Sequence, residues 1–275
     1  MNKNSKNNCR EKIVLIKGAG DIASGTAYRL YKAGFNIAMS EIENPTVVRR
    51  TVSFAECVYR GSWEVEGIKS VYIDNINEIN KLWSEGIIPV FNRCHVEDFK
   101  KLMKPEIVVD ARMMKRKNNT EIDEASIVIG LGPGFKTGDN VNAVVETYRG
   151  HYLGRAIYQG EAMSYKKQPG EVPGYSIERV VSAPAEGIFT SERKIGEKIE
   201  KGEVFGYVDY IPVKAKISGV IRGIIYPGIE VADHEKIGDI DNRNIKEYCF
   251  TISEKALAIG GGVLEAVLYF SKDEN

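Results

Sequence analysis

Histidine is scarce in this chain, at three residues in 275: His95, His151 and His234. Zinc and iron sites of familiar spacing need more imidazole or thiolate than that, so no metal centre is expected. The four cysteines, Cys9, Cys57, Cys94 and Cys249, are scattered and form no CxxC pair. Free thiols in a reducing cytoplasm are expected rather than a disulfide framework. Long apolar runs are missing too. A stretch such as Ile13 to Ile16 falls far below the roughly 20 residues of a membrane span. Neither sign of charge is in excess, with 38 Lys plus Arg against 38 Asp plus Glu, which excludes holding nucleic acid by bulk positive field. The opening residues MNKNSKNNCREK are polar and contain no apolar signal core, so a cytoplasmic location is expected. No Ser–His–Asp order, paired glycosidase acids or HExxH motif supports a hydrolase of those classes.

What is present reads as an ordinary globular chain, 43% hydrophobic and 28% charged, with a prior of about two domains at roughly 150 residues each. The first half alternates short apolar runs with helical periodicity. Ile13 to Ile16 suits a strand buried on both faces, and Ile22, Ala23, Ala27 and Leu30 recur at helical spacing up to Gly34. Phe35 to Met39 predicts the next strand, and a helix is predicted after Pro45 carrying Val47, Val48, Phe54, Ala55 and Val58. Three more strands follow, at 70–73, 87–91 and 107–110, with helices at 76–83 and 96–103 between them. After Ala111 the pattern changes: strands are predicted at 126–129, 141–147 and 154–158, the last two with no helix between them. The alternation of strand and helix predicts an α/β fold with a Rossmann-like, doubly wound, mostly parallel sheet over residues 11–160. Residues 161–176, with Pro169, Gly170, Pro173 and Gly174 among polar residues, read as a linker.

An internal repeat occupies 177–246. Ala183, Gly187, Gly196, Glu203, Gly206 and Asp209 recur 32 residues later as Ala215, Gly219, Gly228, Glu235, Gly238 and Asp241. Glycines at fixed offsets mark turns, and two such halves are expected to interlock as a pseudo-twofold β barrel-sandwich. The pattern A-P-x-x-G followed by spaced glycines resembles the biotinyl/lipoyl carrier fold. The connection Asp209 to Lys214 is short and holds Pro212, so neither Lys214 nor Lys216 is expected to be a carrier lysine. Residues 247–275 are expected to add a strand and a helix that pack back on the core. The helix, 253–270, is interrupted by Gly260, Gly261 and Gly262, which points to close approach of a backbone or ligand, or to a turn.

Two glycine-rich loops carry the candidate site. GAGDIASG, residues 18–25, follows a buried strand and opens a helix. Gly18, Gly20 and Ala23 fill the dinucleotide fingerprint, and Glu41 ends the next strand where a ribose diol would be held. Asp21 puts a carboxylate beside the presumed phosphate, which argues against that ligand. GLGPGF, residues 130–135, offers Gly132 and Gly134 for a second close approach. Asp110 and Arg112, the basic residues Lys115 to Lys117, Arg49 and Arg50, and Arg149 and His151 lie near these segments in sequence. They make either an anion-binding rim or a solvated face.

The segments VLIKGAGDIASGTAYRLYKAGF, NPTVVRRTVSFAECVYRG, VVDARMMKR, IVIGLGPGF, AVVETYRGHYLGR and CFTISEKALAIGGGVLEAVL together resemble the accessory protein family of selenium-dependent molybdenum hydroxylase systems. The resemblance spans residues 13–269. It implies a maturation role in assembling or inserting a molybdopterin/selenium cofactor, with the hydroxylase and a small phosphate-bearing ligand as partners and a homo-oligomer allowed. The matching positions Gly18, Gly20, Asp21, Arg49, Arg50, Asp110, Gly132, Gly134 and His151 become the carried-over site candidates. The alternative is an NAD(P)-binding oxidoreductase of Rossmann type. Its cofactor would lie on Gly18, Gly20, Asp21, Ala23, Glu41, Gly132 and Gly134, with Asp21, Arg49, Arg50, Asp110, Arg112 and His151 as catalytic candidates.

Overall fold

A computed structural model describes residues 12–113, 119–164 and 178–274. Cys9, the basic run 115–117 and most of the proposed linker lie outside them. The first half builds one nine-stranded sheet from β1 (Ile13–Lys17), β2 (Asn36–Glu41), β3 (Ser62–Val65), β4 (Ile68–Ile73), β5 (Ile88–Asn92), β6 (Ile107–Asp110), β7 (Ile127–Leu131), β8 (Ala143–Val145) and β9 (Ala156–Ile157). Their order across the sheet is β3-β4-β5-β2-β1-β6-β7-β8-β9. The central strands are parallel, β1 pairing on one side with β2 and on the other with β6. The two edge strands run antiparallel to their neighbours.

This mixed sheet corrects the Rossmann-like, doubly wound expectation. At one edge, Glu66 and Gly67 both adopt positive φ and turn β3 back on β4, the geometry of a tight hairpin. At the other, β9 folds back on β8. The connections β6 to β7 and β7 to β8 carry no helix among the described residues. The sheet face there is covered from the far end of the chain, by α5 (Glu254–Phe270), whose Ile259, Val263 and Ala266 join Ile129, Leu131 and Val145 in one buried cluster. Local alternation of strand and helix cannot register a cover supplied from so far along the sequence. On this face α5 lies beside α1 (Asp21–Lys32), while α3 (Ile79–Ser84) and α4 (Val96–Met103) cover the opposite face through Leu82 and Phe99. The helix expected after Pro45 is reduced to a 3₁₀ turn, Arg50–Val52, and the short α2 (Glu56–Arg60).

The three glycines of α5 do not break it. A Cβ at Gly260 would stand 2.6 Å from the Gly25 carbonyl oxygen, and one at Gly262 would run into the carbonyl oxygen of Gly154. They serve backbone contact, in part with α1.

The second half forms two four-stranded antiparallel sheets rather than the biotinyl/lipoyl-like barrel-sandwich expected. Their strands are β10 (Val180–Ser182), β11 (Gly187–Thr190), β12 (Lys198–Ile199), β13 (Val204–Val208), β14 (Ile211–Lys214), β15 (Gly219–Ile224), β16 (Ile229–Val231) and β17 (Lys236–Asp241). The sheet orders are β10-β17-β15-β12 and β14-β13-β11-β16. Repeat-related strands take equivalent places: β11 pairs with β13 and β16, and β15 with β17 and β12. The repeat-related Gly196 and Gly228 both hold φ of 90°. The glycine pattern thus fixes turns, but not the number of strands per sheet. The hairpin strand β14 extends one sheet and β10 the other. Among the described residues no helix is long and apolar enough to cross a membrane.

Candidate ligand cleft

A cleft of about 1160 Å³ opens between the two halves. Its floor is the carboxyl ends of β1, β2, β5 and β6, the usual ligand position in open α/β sheets. Lys17, Gly18, Ser40, Glu41, Asn92, Arg93, Ala111 and Arg112 all line it. Gly20, Asp21, Ile22 and Ala23 bring in the start of α1. The opposite wall is Arg179, Val180, Arg222, Lys236 and Asp239 of the β module, and the first turn of α5 contributes Ser253 and Lys255.

Gly18 makes the floor possible. Its φ of +98° is left-handed, and a Cβ there would press on the backbone of Ala111 and Arg112. Its N–H donates to the Ser40 carbonyl at 2.8 Å, so the loop is stitched across the ends of neighbouring strands. Glu41 completes the stitch: one carboxylate oxygen accepts from the Ala19 N–H and the other from the Ile42 N–H, each at 2.8 Å. Burial pushes its pKa up despite those two donors. Glu41 thus braces the loop through both oxygens while it lines the cleft. No dinucleotide chemistry is derived from this site.

Asp110 and Arg112 are tied to each other. Arg112 donates to the Asp110 carboxylate through Nε at 3.0 Å and through a terminal nitrogen at 2.5 Å, and the Thr120 hydroxyl donates to it at 2.6 Å. Against the penalty of burial, the Arg112 guanidinium holds the Asp110 carboxyl below its usual range. Beside them Lys17 donates to Glu124 at 2.7 Å and to the Thr120 hydroxyl at 3.0 Å. This network closes the ends of β1 and β6.

Of the sequence candidates, Gly18, Gly20, Asp21, Ala23, Glu41, Arg49 and Arg112 meet at the cleft. Arg50 turns away from it. It donates to the Ile224 carbonyl and to Glu56 and lies over the Tyr226 ring, holding the β module to the sheet. Asp110 sits behind Arg112. Gly132 packs on Thr147, and with Gly134 belongs to a loop outside the cleft lining. His151 lies beside Tyr152 on a separate, shallow surface depression.

Several cleft residues were not singled out from sequence: Arg93, Arg179, Arg222, Lys236, Asp239 and Lys255. Arg222 carried a signal. It is a charge within the apolar run Val-Ile-Arg-Gly-Ile-Ile, followed by glycine, and a glycine inside a strand pattern suggests a bulge or a close backbone approach. Both occur. The β15–β17 register shifts between Ile221 and Gly223, and a Cβ on Gly223 would sit 2.8 Å from the Val48 carbonyl oxygen.

Basic residues dominate the lining. Lys17, Arg49, Arg93, Arg112, Arg149, Arg179, Arg222, Lys236 and Lys255 face Asp21, Glu41, Glu97, Glu124 and Asp239. Some of these cations are matched within the protein: Arg149 pairs with Glu254, and Arg179 with Asp239 at 3.1 Å. No carboxylate among the described residues lies within ion-pair distance of Arg49, Arg93, Lys236 or Lys255. Burial lowers the Lys255 pKa, with Asp21 partly opposing the shift. No group of three or more His, Cys, Asp or Glu side chains able to hold a metal ion occurs among the described residues.

No family model matches the chain. A curated Escherichia coli K12 protein, called uncharacterized protein YqeB, is 44% identical over 258 residues, covering 93% of this chain and 47% of its own length. The chain therefore spans about half the length of the relative it matches. Among solved structures, an aspartoacylase family protein from Mesorhizobium loti aligns over 84% of this chain and 85% of its own, at 10% identity and a TM-score of 0.25. The ectoine utilization protein EutE (DoeB) of Ruegeria pomeroyi aligns over 84% and 86%, also at 10% and 0.25. A succinylglutamate desuccinylase/aspartoacylase from Rhodobacter sphaeroides covers 23% of this chain and 21% of its own, at 22% identity and 0.21. Likeness of this size transfers neither fold nor activity. The names these matches carry are desuccinylase and aspartoacylase names, not that of the family expected from the sequence. The maturation role, the selenium-dependent molybdenum hydroxylase as partner with its phosphate-bearing cofactor ligand, and the Rossmann oxidoreductase alternative are accordingly withdrawn.

Proposed function

We propose that the cleft between the nine-stranded sheet and the β module binds a small, multiply anionic molecule. The observation that carries this reading is the surplus of unpaired basic side chains, Arg49, Arg93, Lys236 and Lys255, on the lining of one cleft in a chain of zero net charge. Like charges gathered in a partly desolvated site repel one another, and an anion relieves that repulsion. Several nearby acids have their oxygens engaged already: Glu41 with two backbone N–H groups, Glu124 with Lys17, and Asp239 with Arg179. The start of α1 at Gly20 and Asp21 lines the cleft with the N–H groups that a helix's first turn leaves without an intrahelical partner, and Asp21 on that rim favours a ligand that also carries hydroxyl or amino donors.

Titration calorimetry with citrate and with inorganic pyrophosphate tests this reading. Both should bind with one-to-one stoichiometry. Affinity should fall as salt is raised from about 50 to 300 mM, as expected for partly exposed charges. Charge reversal of the exposed Arg93 to Glu should weaken both. Binding that ignores salt and Arg93→Glu, or no binding at millimolar concentration, would remove the proposal.

A further inference from the structure

We infer that Arg49 and Arg222 form the seat for one doubly charged anionic group, and that this pair sets the ligand class of the cleft as dianionic over monoanionic. This rests on the reading of the cleft as an anion site and specifies which part of it discriminates.

Both residues line the cleft and both are more than nine-tenths buried, at 8% and 7% exposure. Buried charges need partners, and these two have few. Arg49 donates from one terminal nitrogen to the main-chain carbonyls of Tyr248 at 2.8 Å and Thr251 at 3.3 Å. Among the described residues Arg222 forms an ion pair only with Asp241, at 3.6 Å, and that carboxylate is already held at 2.6 Å by Arg243. The Nε of each side chain is buried with no hydrogen-bond partner.

The backbone brings the two together. Arg222 sits where the β15–β17 register slips, and bulges of this kind re-aim a side chain next to functional sites. Gly223, lacking a Cβ, admits the Val48 backbone, whose carbonyl accepts from the Ile224 N–H at 2.9 Å, which sets Arg49 beside Arg222. Burial draws the Arg222 pKa down, and the neighbouring Arg49 charge lowers it further. Arg243, Asp239 and Asp241 are among the other charges facing Arg222, and the open donors of Arg49 and Arg222 match one dianionic group. Two planar guanidinium forks suit such a group better than lysines would.

Phosphoryl and dicarboxylate groups share this chemistry, and binding of each to the full chain separates them. At a pH about one and a half units above the second ionisation of phosphate, inorganic phosphate and malonate serve as dianions, acetate and nitrate as monoanions, all at matched ionic strength. At least one dianion should bind roughly tenfold or more tighter than either monoanion, a preference that Arg222→Gln should reduce by roughly 10–100-fold, the range for hydrogen bonds to charged groups. Arg222→Lys keeps the charge without the fork and should fall between the two. It also covers the case in which Arg222→Gln fails to fold. Lys236→Ala should weaken all four anions alike. Phosphate ahead of malonate identifies a phosphoryl group, and the reverse a dicarboxylate. Dianions and monoanions bound equally, or a preference that survives both Arg222 variants, overturns the seat while leaving the anion cleft standing. No binding of any anion overturns both.

Discussion

The three consecutive glycines of α5 allow a test in which neighbouring positions respond with opposite sign. Alanine is about 1 kcal/mol better than glycine inside a helix. At Gly261 nothing lies within 4 Å of an added Cβ, so Gly261→Ala should keep that gain and raise Tm by about 2–4 °C for a chain of this size. One residue on, the methyl of Gly262→Ala meets the Gly154 carbonyl oxygen and stands 2.9 Å from Val145 Cγ1. Backbone cannot step aside as a flexible side chain can. Overpacking typically costs about 1–3 kcal/mol, and a clash with backbone sits at the upper end of that range, so after the propensity gain of about 1 kcal/mol the variant should lose up to about 2 kcal/mol. Gly260→Ala falls on the same side, because its Cβ would lie 2.6 Å from the Gly25 carbonyl oxygen and 3.0 Å from Thr26 Cα. It bears on the cleft as well, since α1 carries Asp21 and α5 carries Lys255, and pushing the helices apart separates these cleft-lining residues. Guanidinium unfolding of the three variants, with m held common, reads the signs directly. If Gly262→Ala proves as stable as Gly261→Ala, the close packing of α5 described above is wrong.

Three further outcomes follow from buried charges. Asp110→Asn removes the negative charge opposite Arg112 and leaves one acceptor oxygen where two served the Arg112 fork and Thr120, and should cost about 2–3 kcal/mol at neutral pH. Because the Asp110 pKa is depressed in the fold, its contribution is complete above the unfolded value near 4 and is lost as pH falls through the folded value; acid titration of stability should show that limb missing in the variant. Glu41→Gln keeps one acceptor oxygen for two N–H donors and should lose about 1 kcal/mol. The raised pKa of Glu41 makes wild-type stability decline as pH climbs from the unfolded value through the folded one, so the variant should be flatter there by chemical denaturation. Lys255 has a lowered pKa, and its charged form is disfavoured in the fold. Lys255→Met should therefore gain stability near pH 7 and lose the rise seen in wild type as pH climbs through the folded value toward 10.5, while binding citrate more weakly in calorimetry.

The central strands were legible because each is a continuous apolar run such as Ile13 to Ile16, closed by a polar or glycine residue. The edges were not. Trp63 and Glu64 of β3 give no burial signal, and only the Glu66–Gly67 turn shows that the segment folds back. The C-terminal helix was expected to pack back on the core, but that it covers β7 and β8 was not legible, since those strands lie more than a hundred residues before it in sequence. In the site, the GAGD loop was found because glycine spacing is a local property. The role of Glu41 was not, because a strand-end carboxylate looks the same in sequence whether it faces a ribose or its own loop. Arg50 illustrates a further limit: adjacent arginines were taken together, yet one lines the cleft and the other clamps Ile224.

A neutral chain acquires a basic cleft by the way its carboxylates are used. Glu41 braces the loop, and Glu124 and Asp239 each pair with a cation on the same wall. Each such pairing cancels one basic group and leaves the others without a counter-charge. The two halves then contribute different members of the remainder: Arg49 and Arg93 from the sheet, Arg222 and Lys236 from the β module, and Lys255 from the helix that returns to the sheet. Neither half alone concentrates the charge. An anion in the cleft would contact both, so its binding should stabilise the junction as well as the site. Excess citrate or phosphate should therefore raise the midpoint of unfolding by the amount mass action sets, about 2.7 kcal/mol at a hundred times Kd. The effect should vanish in Arg222→Gln if the junction pair carries it, and persist if the exposed cations alone hold the ligand.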